Sequence, residues 1–235
     1  MGGDMLKRVK LTREKLDGTV LDIEFLLIAV IQGLALTTLA VESEGILGDG
    51  EFLYWPYVAA GFVLIMNFWS LAIIHSISFI SWPFDLVHTI LYFLAAFVEV
   101  AAFTQITHPA GWFIAMFAFF VVSALLYLWD ARVIREKQAE FEDTPAEARL
   151  YRHIHERQKV ELRLMLPGAL VFHGAIVVVL IVSPALILEH DRHVFLVSAQ
   201  LIFGLLFLAG IIRDFRIRQR LITDCIEDEE GATAS

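Results

Sequence analysis

Six apolar runs, each about the length of a bilayer crossing, leave this chain one architectural option. Roughly 20 helical residues span the ~30 Å hydrocarbon core, and a lipid-immersed backbone must satisfy its own hydrogen bonds. The runs are read at residues 19–41, 53–79, 84–106, 110–130, 164–188 and 193–213. They predict an all-α polytopic membrane protein with six transmembrane helices. Composition agrees: 58% of the 235 residues are hydrophobic, where soluble domains run nearer ~45–50%. The first run exceeds the ~7–15-residue apolar stretch of a signal peptide and no A-x-A site follows it, so it is read as an uncleaved span.

Basic residues set the orientation, because loops rich in Lys and Arg stay in the cytoplasm. Seventeen of the 18 Lys and Arg fall before the first span, between spans four and five, or after the last; only Arg192 lies on the other side. Both termini are therefore expected in the cytoplasm, and the protein in the cell membrane as a multi-pass chain. The opposite loops, "ESEGILGDGE", "TQITHPAG" and "LEHDRH", are too short for a folded external domain.

The segment 1–220 reads as one six-helix domain and 221–235 as an acidic tail. Within the domain, residues 131–163 form a charged cytoplasmic loop. There Thr144, Pro145 and Glu147 resemble a helix N-cap, a first-turn proline and a capping-box acid, so a fresh helix is expected to run into span five. Leu150, Ile154 and Leu162 share one face of it. Such a helix lies on its own bundle or on a sister subunit, or offers basic residues to anionic headgroups. A net charge of −9 argues against a nucleic-acid partner. The single Cys225, in the tail, supports neither disulfides nor a cysteine metal cage. No span contains lysine for a retinal Schiff base, and G-x-S-x-G, H-E-x-x-H and P-loop motifs are missing. Nothing positions a nucleophile beside a base, so the chain is not read as an enzyme.

On a helical wheel of the first span, Ala29, Gly33, Thr37 and Ala40 form a small-residue stripe suited to close helix packing. Glu24, Ile31, Ala35, Thr38 and Glu42 gather on a second stripe. Its two acids are 18 residues apart, or roughly 27 Å along a helix, close to the hydrocarbon thickness. Carboxylates at both mouths with apolar groups between suit a cation path. The bland alternative is that the acids mark the span's ends and Thr38 bonds its own backbone.

Span three carries His88, Tyr92, Ala95, Glu99 and Ala102 on one stripe, and Glu99 lies well inside the apolar run. A carboxylate there costs several kcal/mol unless paired or hydrated. Two readings stand: an ion or proton site, or a buried hydrogen bond to Asn67, Gln105 or Gln200 that fixes packing. Among the histidines, His153 and His155 make a poor metal clamp, and His190 and His193 fit a solvated loop; no metal site is assigned. His75, His88 and His173 lie in the same half of their spans, where two of them would be able to ligate haem b from facing helices.

Two stretches carry a family resemblance. "QGLALTTLAVE" is similar to the Asp-Gly, apolar-Thr-apolar, Leu-Glu run, and "LYWPYVAAGFVLIMNFWSLAIIHS" to the Trp-Pro opening with later Trp and His, of the bacterial six-helix members of the endolysosomal potassium-channel family. The closing "RDFRI" looks like that family's basic ending. Gln32 stands where the family has Asp, and its double-His ending is reduced to His75. The resemblance implies a homo-oligomer, a tetramer, whose first helices line a central pore with a hydrophobic constriction selective among monovalent cations. The candidates Ile31, Ala35 and Thr38 come from the wheel, not from the family.

The leading expectation is thus a potassium-type cation channel in the lipid bilayer, needing no cofactor, with the first helix lining the path. A cytochrome b-like haem protein using His75, His88 or His173 is one alternative. A non-catalytic subunit of a membrane complex is the other.

Overall fold

The computed structural model describes the backbone of residues 2–79, 85–140 and 145–234, and side chains over 15–78, 85–139 and 148–224. The described chain is all-helical, and six of its helices are long and apolar enough to cross a membrane. In order they are α1 (Gly2–Gly48), α2 (Trp55–Phe79), α3 (Leu86–Phe103), α4 (Pro109–Glu140), α5 (Pro145–Val160), α6 (Leu166–Val182), the short α7 (Ala185–Leu188) and α8 (His193–Ala234). A π-type turn, Glu161–Met165, joins α5 to α6 without a break, so the two form one rod.

The boundaries follow local chemistry. Pro56 opens α2 in the first turn, where a missing N–H costs nothing. Asp85 caps α3, its side chain accepting from the amides of Val87 (3.0 Å) and His88 (3.1 Å). The fifth span was expected to run to residue 188, but α6 stops at Val182: Ser183 leaves helical geometry and Pro184 starts α7. The helix expected to lead into span five is present. The proposed capping residues Thr144, Pro145 and Glu147 lie outside the residues whose side chains are described, as do Cys225 and the basic residues before Lys15.

Helix α3 packs on α4 and α1, α2 on α8 and α1, α4 on α6, and α5 on α4 and α8. Tyr57, Phe103, Trp112, Phe113 and Met116 fill the centre near one end of the bundle and are inaccessible to solvent. Ala95, Ala96 and Ala102 on α3 let backbones approach closely. At the other end Arg218 donates to Asp214 (2.6 Å) and to Ser78 (3.1 Å), while His153 reaches the same Asp214 (2.9 Å). Thus His153, a poor metal clamp by sequence, ties α5 to α8. Leu150 and Ile154 are buried against Ile134 and hold α5 on the bundle. Around the perimeter Leu26, Phe97, Ile181, Phe195 and Leu206 are each at least 64% exposed, an apolar belt that matches a lipid environment.

Candidate functional site

The first helix turns its faces as follows. Glu24, Ile28, Ile31, Gln32, Ala35 and Leu39 are buried against α2 and α3, whereas Ala29, Gly33, Thr37 and Ala40 are exposed. Of the expected ion-path residues, Glu24, Ile31 and Ala35 therefore sit in the chain's own interior, Thr38 is half-buried and Glu42 is exposed. The small-residue stripe is open: no atom lies within 4 Å of where a Gly33 Cβ would stand. The hydroxyls of Thr37 and Thr38 donate to the carbonyls of Gly33 (2.8 Å) and Leu34 (3.0 Å), satisfying themselves within α1.

Between α1, α3 and α4 the buried polar groups form a column. It begins at the bundle end where Asp85 caps α3 and accepts from Trp129 Nε1 at 2.6 Å. One turn inward, Thr89 donates to Glu24 (3.3 Å). Beside it Asp130, wholly buried, lies 2.7 Å from His88 Nδ1 and 3.1 Å from His75 Nδ1. A carboxylate oxygen only accepts, so the His88 Nδ1 hydrogen-bonded to Asp130 carries the proton. Further in, Gln32 Nε2 lies 3.5 Å from the Tyr92 hydroxyl and 3.4 Å from Glu99 Oε2. Glu99 is inaccessible to solvent, and its other oxygen, Oε1, has no hydrogen-bond partner. Beyond Glu99, Ala102, Phe103, Trp112 and Phe113 close the bundle with apolar bulk. From His88 to Glu99 the column follows 11 residues of α3, roughly 16 Å of rise.

The partner of Glu99 differs from those expected. Asn67 donates instead to the Gly204 carbonyl (3.0 Å), Gln105 to Thr104 (3.1 Å), and Gln200 accepts from Trp112 Nε1 (3.0 Å). Those three stand on other walls, while Gln32 is on the face of α1 that packs on α3. Sequence reasoning missed Gln32 because it fell between the two stripes, and missed Asp130 because an acid after an apolar run reads as a span's end. Asp85 had a usable signal, an acid immediately before "LVHTILYFL".

On the far side of His75 and His88 lies a cavity of about 420 Å³ between α2, α4, α6 and α8. All three candidate haem ligands, His75, His88 and His173, reach its wall, as do Asn67 and Gln200. His173 donates through Nδ1 to the Ala169 carbonyl (2.9 Å). Its Nε2 has no partner, although Gln200 lies beside it. Among the described residues no group of three or more His, Cys, Asp and Glu is arranged to hold a metal ion. His193 turns inward and pairs with the Tyr57 hydroxyl at 3.0 Å instead of lying in a solvated loop.

The chain matches no protein-family model, and no curated protein or solved structure is detectably similar to it.

Proposed function

We infer that this chain is a cation-conducting protein of the cell membrane, both termini in the cytoplasm, with α1 forming one wall of the path. The observation that carries the reading is the buried column Glu24–His88–Asp130–Gln32–Glu99. Ionisable groups inside an apolar bundle are expensive and mark ion pathways and proton relays. The column starts at the bundle end assigned to the cytoplasm and stops at Glu99, about three-quarters of the way along α3, beneath an apolar plug. A group holding a monovalent cation or a proton at Glu99 then has one aqueous side and one closed side.

This reading moves the path from the Glu24–Thr38–Glu42 stripe to the α1–α3 seam. Glu24 belongs to both. Ile31 and Ala35 act as the seam's apolar packing, and Glu42 as an acid beyond the far mouth. The family resemblance argues for potassium, and the imidazole and carboxyl groups of the column suit a proton. Assembly into a homo-oligomer, a tetramer by resemblance, places the open Ala29–Gly33–Thr37 face between copies.

Proteoliposomes loaded with a pH dye, with and without a potassium gradient, measure both ions in one preparation. Glu99→Gln is expected to cut the flux of the conducted ion at least about tenfold while the protein elutes as wild type. Unchanged flux of both ions would sink the column as the path.

A second reading rests on a separate observation, three histidines on one cavity with His173 Nε2 unpartnered. That is the ring geometry of a haem ligand held by its second nitrogen. Haem bound there would supply one-electron redox chemistry. An absorption spectrum of the purified protein tests it, a Soret band being the result required.

A further inference from the structure

We propose that the cavity between α2, α4, α6 and α8 binds a membrane-soluble alcohol, its hydroxyl donating to His173 Nε2 and its apolar chain among the surrounding aromatics. At about 420 Å³ the space falls in the range of small-molecule sites, and like them it is apolar with a few convergent polar groups. Two of those groups are bare acceptors. His173 is 2% exposed, and because its Nδ1 faces a carbonyl, the neutral ring presents Nε2 as a bare acceptor. Asn67 is 7% exposed; its amino group is held by the Gly204 carbonyl, which leaves Oδ1 as a second bare acceptor. Ser123 Oγ, also buried on this wall, has no partner and can give or accept.

A buried acceptor left without a donor costs about as much as a lost hydrogen bond, so two on one cavity imply a donor that arrives with the occupant. An O–H gives a hydrogen to such an acceptor and accepts from the unpartnered hydroxyls of Ser123 and Tyr127 on the same wall.

Helix α6 packs chiefly on α4 and α8 chiefly on α2 and α5. Phe172 on α6 and Phe203 and Phe207 on α8 line the cavity, with Phe203 41% exposed to the bundle's surroundings. Gly168, also on the wall, is exposed, and a Cβ there would meet nothing within 4 Å. His75, His88 and Tyr92 border both this cavity and the conduction column, and the binding proposal does not depend on the conduction reading.

The test uses the full chain in nanodiscs, with tritiated farnesol as probe, farnesyl methyl ether as the donor-free control and empty nanodiscs as background. Saturable binding at one farnesol per chain is expected, with the ether weaker by at least about tenfold, the penalty for leaving the acceptors bare. Gly168→Phe, at a wall position where a Cβ meets nothing within 4 Å, adds a ring to the cavity's edge and is expected to weaken both. His173→Leu is expected to equalise alcohol and ether; if that variant does not fold, the wild-type comparison and Gly168→Phe carry the test. Competition by cholesterol or by hexadecanol assigns a fused-ring or a straight-chain alcohol. Non-saturable partition, equal affinity for alcohol and ether, or binding untouched by Gly168→Phe would overturn the proposal. So would a Soret band in the purified protein, because haem would then occupy His173.

Discussion

Gln32 shows how a single side chain decides whether a buried acid is tolerable. Its amide is the only group hydrogen-bonded to Glu99 among the described residues, and it spans α1 to α3. Gln32→Leu should therefore destabilise the protein by about 1–3 kcal/mol, the cost of stranding a buried polar partner. The readout is a lower Tm in detergent, followed by tryptophan fluorescence. Asp130→Ala should cost more, about 3–5 kcal/mol, because the carboxylate that faces two imidazoles disappears. A Tm for Asp130→Ala above that of Gln32→Leu would contradict the ranking. The exposed Thr37, which satisfies itself within α1, is the contrast: Thr37→Val should leave Tm within a degree or two.

Elements meet here with little tolerance at one point and an extra residue at another. At Gly61 on α2 a Cβ would stand 2.9 Å from Leu39 Cδ1 and 3.2 Å from Phe103 Cε1. Leu39 and Phe103 are both buried, so α1, α2 and α3 converge where only hydrogen fits. Gly61→Val should cost about 1–3 kcal/mol in overpacking, again read as a fall in Tm. The π-type turn Glu161–Met165 is the opposite case, a turn that holds one residue more than an α-turn. Removing Leu164, which is 69% exposed, should let the α5–α6 rod regularise with Ile154 and His173 still on their faces. Removing Val178 from regular helix should instead rotate everything after it by about 100°. Equal damage from the two deletions, measured as the folded fraction on size exclusion, would refute this account. Helix existence was legible from apolar run length. The extra residue at the π turn was not, because nothing in "ELRLM" departs from ordinary helical patterning.

At the scale of the whole molecule, orientation and assembly can be tested without knowing the ion. The distribution of Lys and Arg leads to the expectation that both termini are cytoplasmic. Cys225 should then resist a membrane-impermeant maleimide in intact cells and react in inverted vesicles. A cysteine placed at Asp49, in a Cys225→Ser chain, should show the reverse. The open stripe on α1 bears on assembly, since Gly33 has room for a neighbour and among the described residues no helix supplies one. Gly33→Leu should lower the oligomeric state seen by native mass spectrometry while leaving each chain folded; an unchanged mass would remove α1 from the interface.

The sequence by itself determined that this chain has six helices long and apolar enough to cross a membrane. It set the orientation expected from its basic residues, and it located Glu99 and the three inner histidines as polar groups that need an explanation. Those properties are additive along the chain: hydrophobic length and charge placement need no knowledge of neighbours. Which polar group answers which was decided only by tertiary structure. Helical periodicity puts residues on a face but does not say which face turns inward. The stripe of Glu24, Ile31 and Ala35 thus turned inward, and the small-residue stripe turned outward. Asp130 joined His75 and His88 across three helices, and His173 and Asn67 came to one cavity from α6 and α2. Partners more than a hundred residues apart, such as His173 and Asn67, share no local pattern, and only the packing of the bundle brings them together.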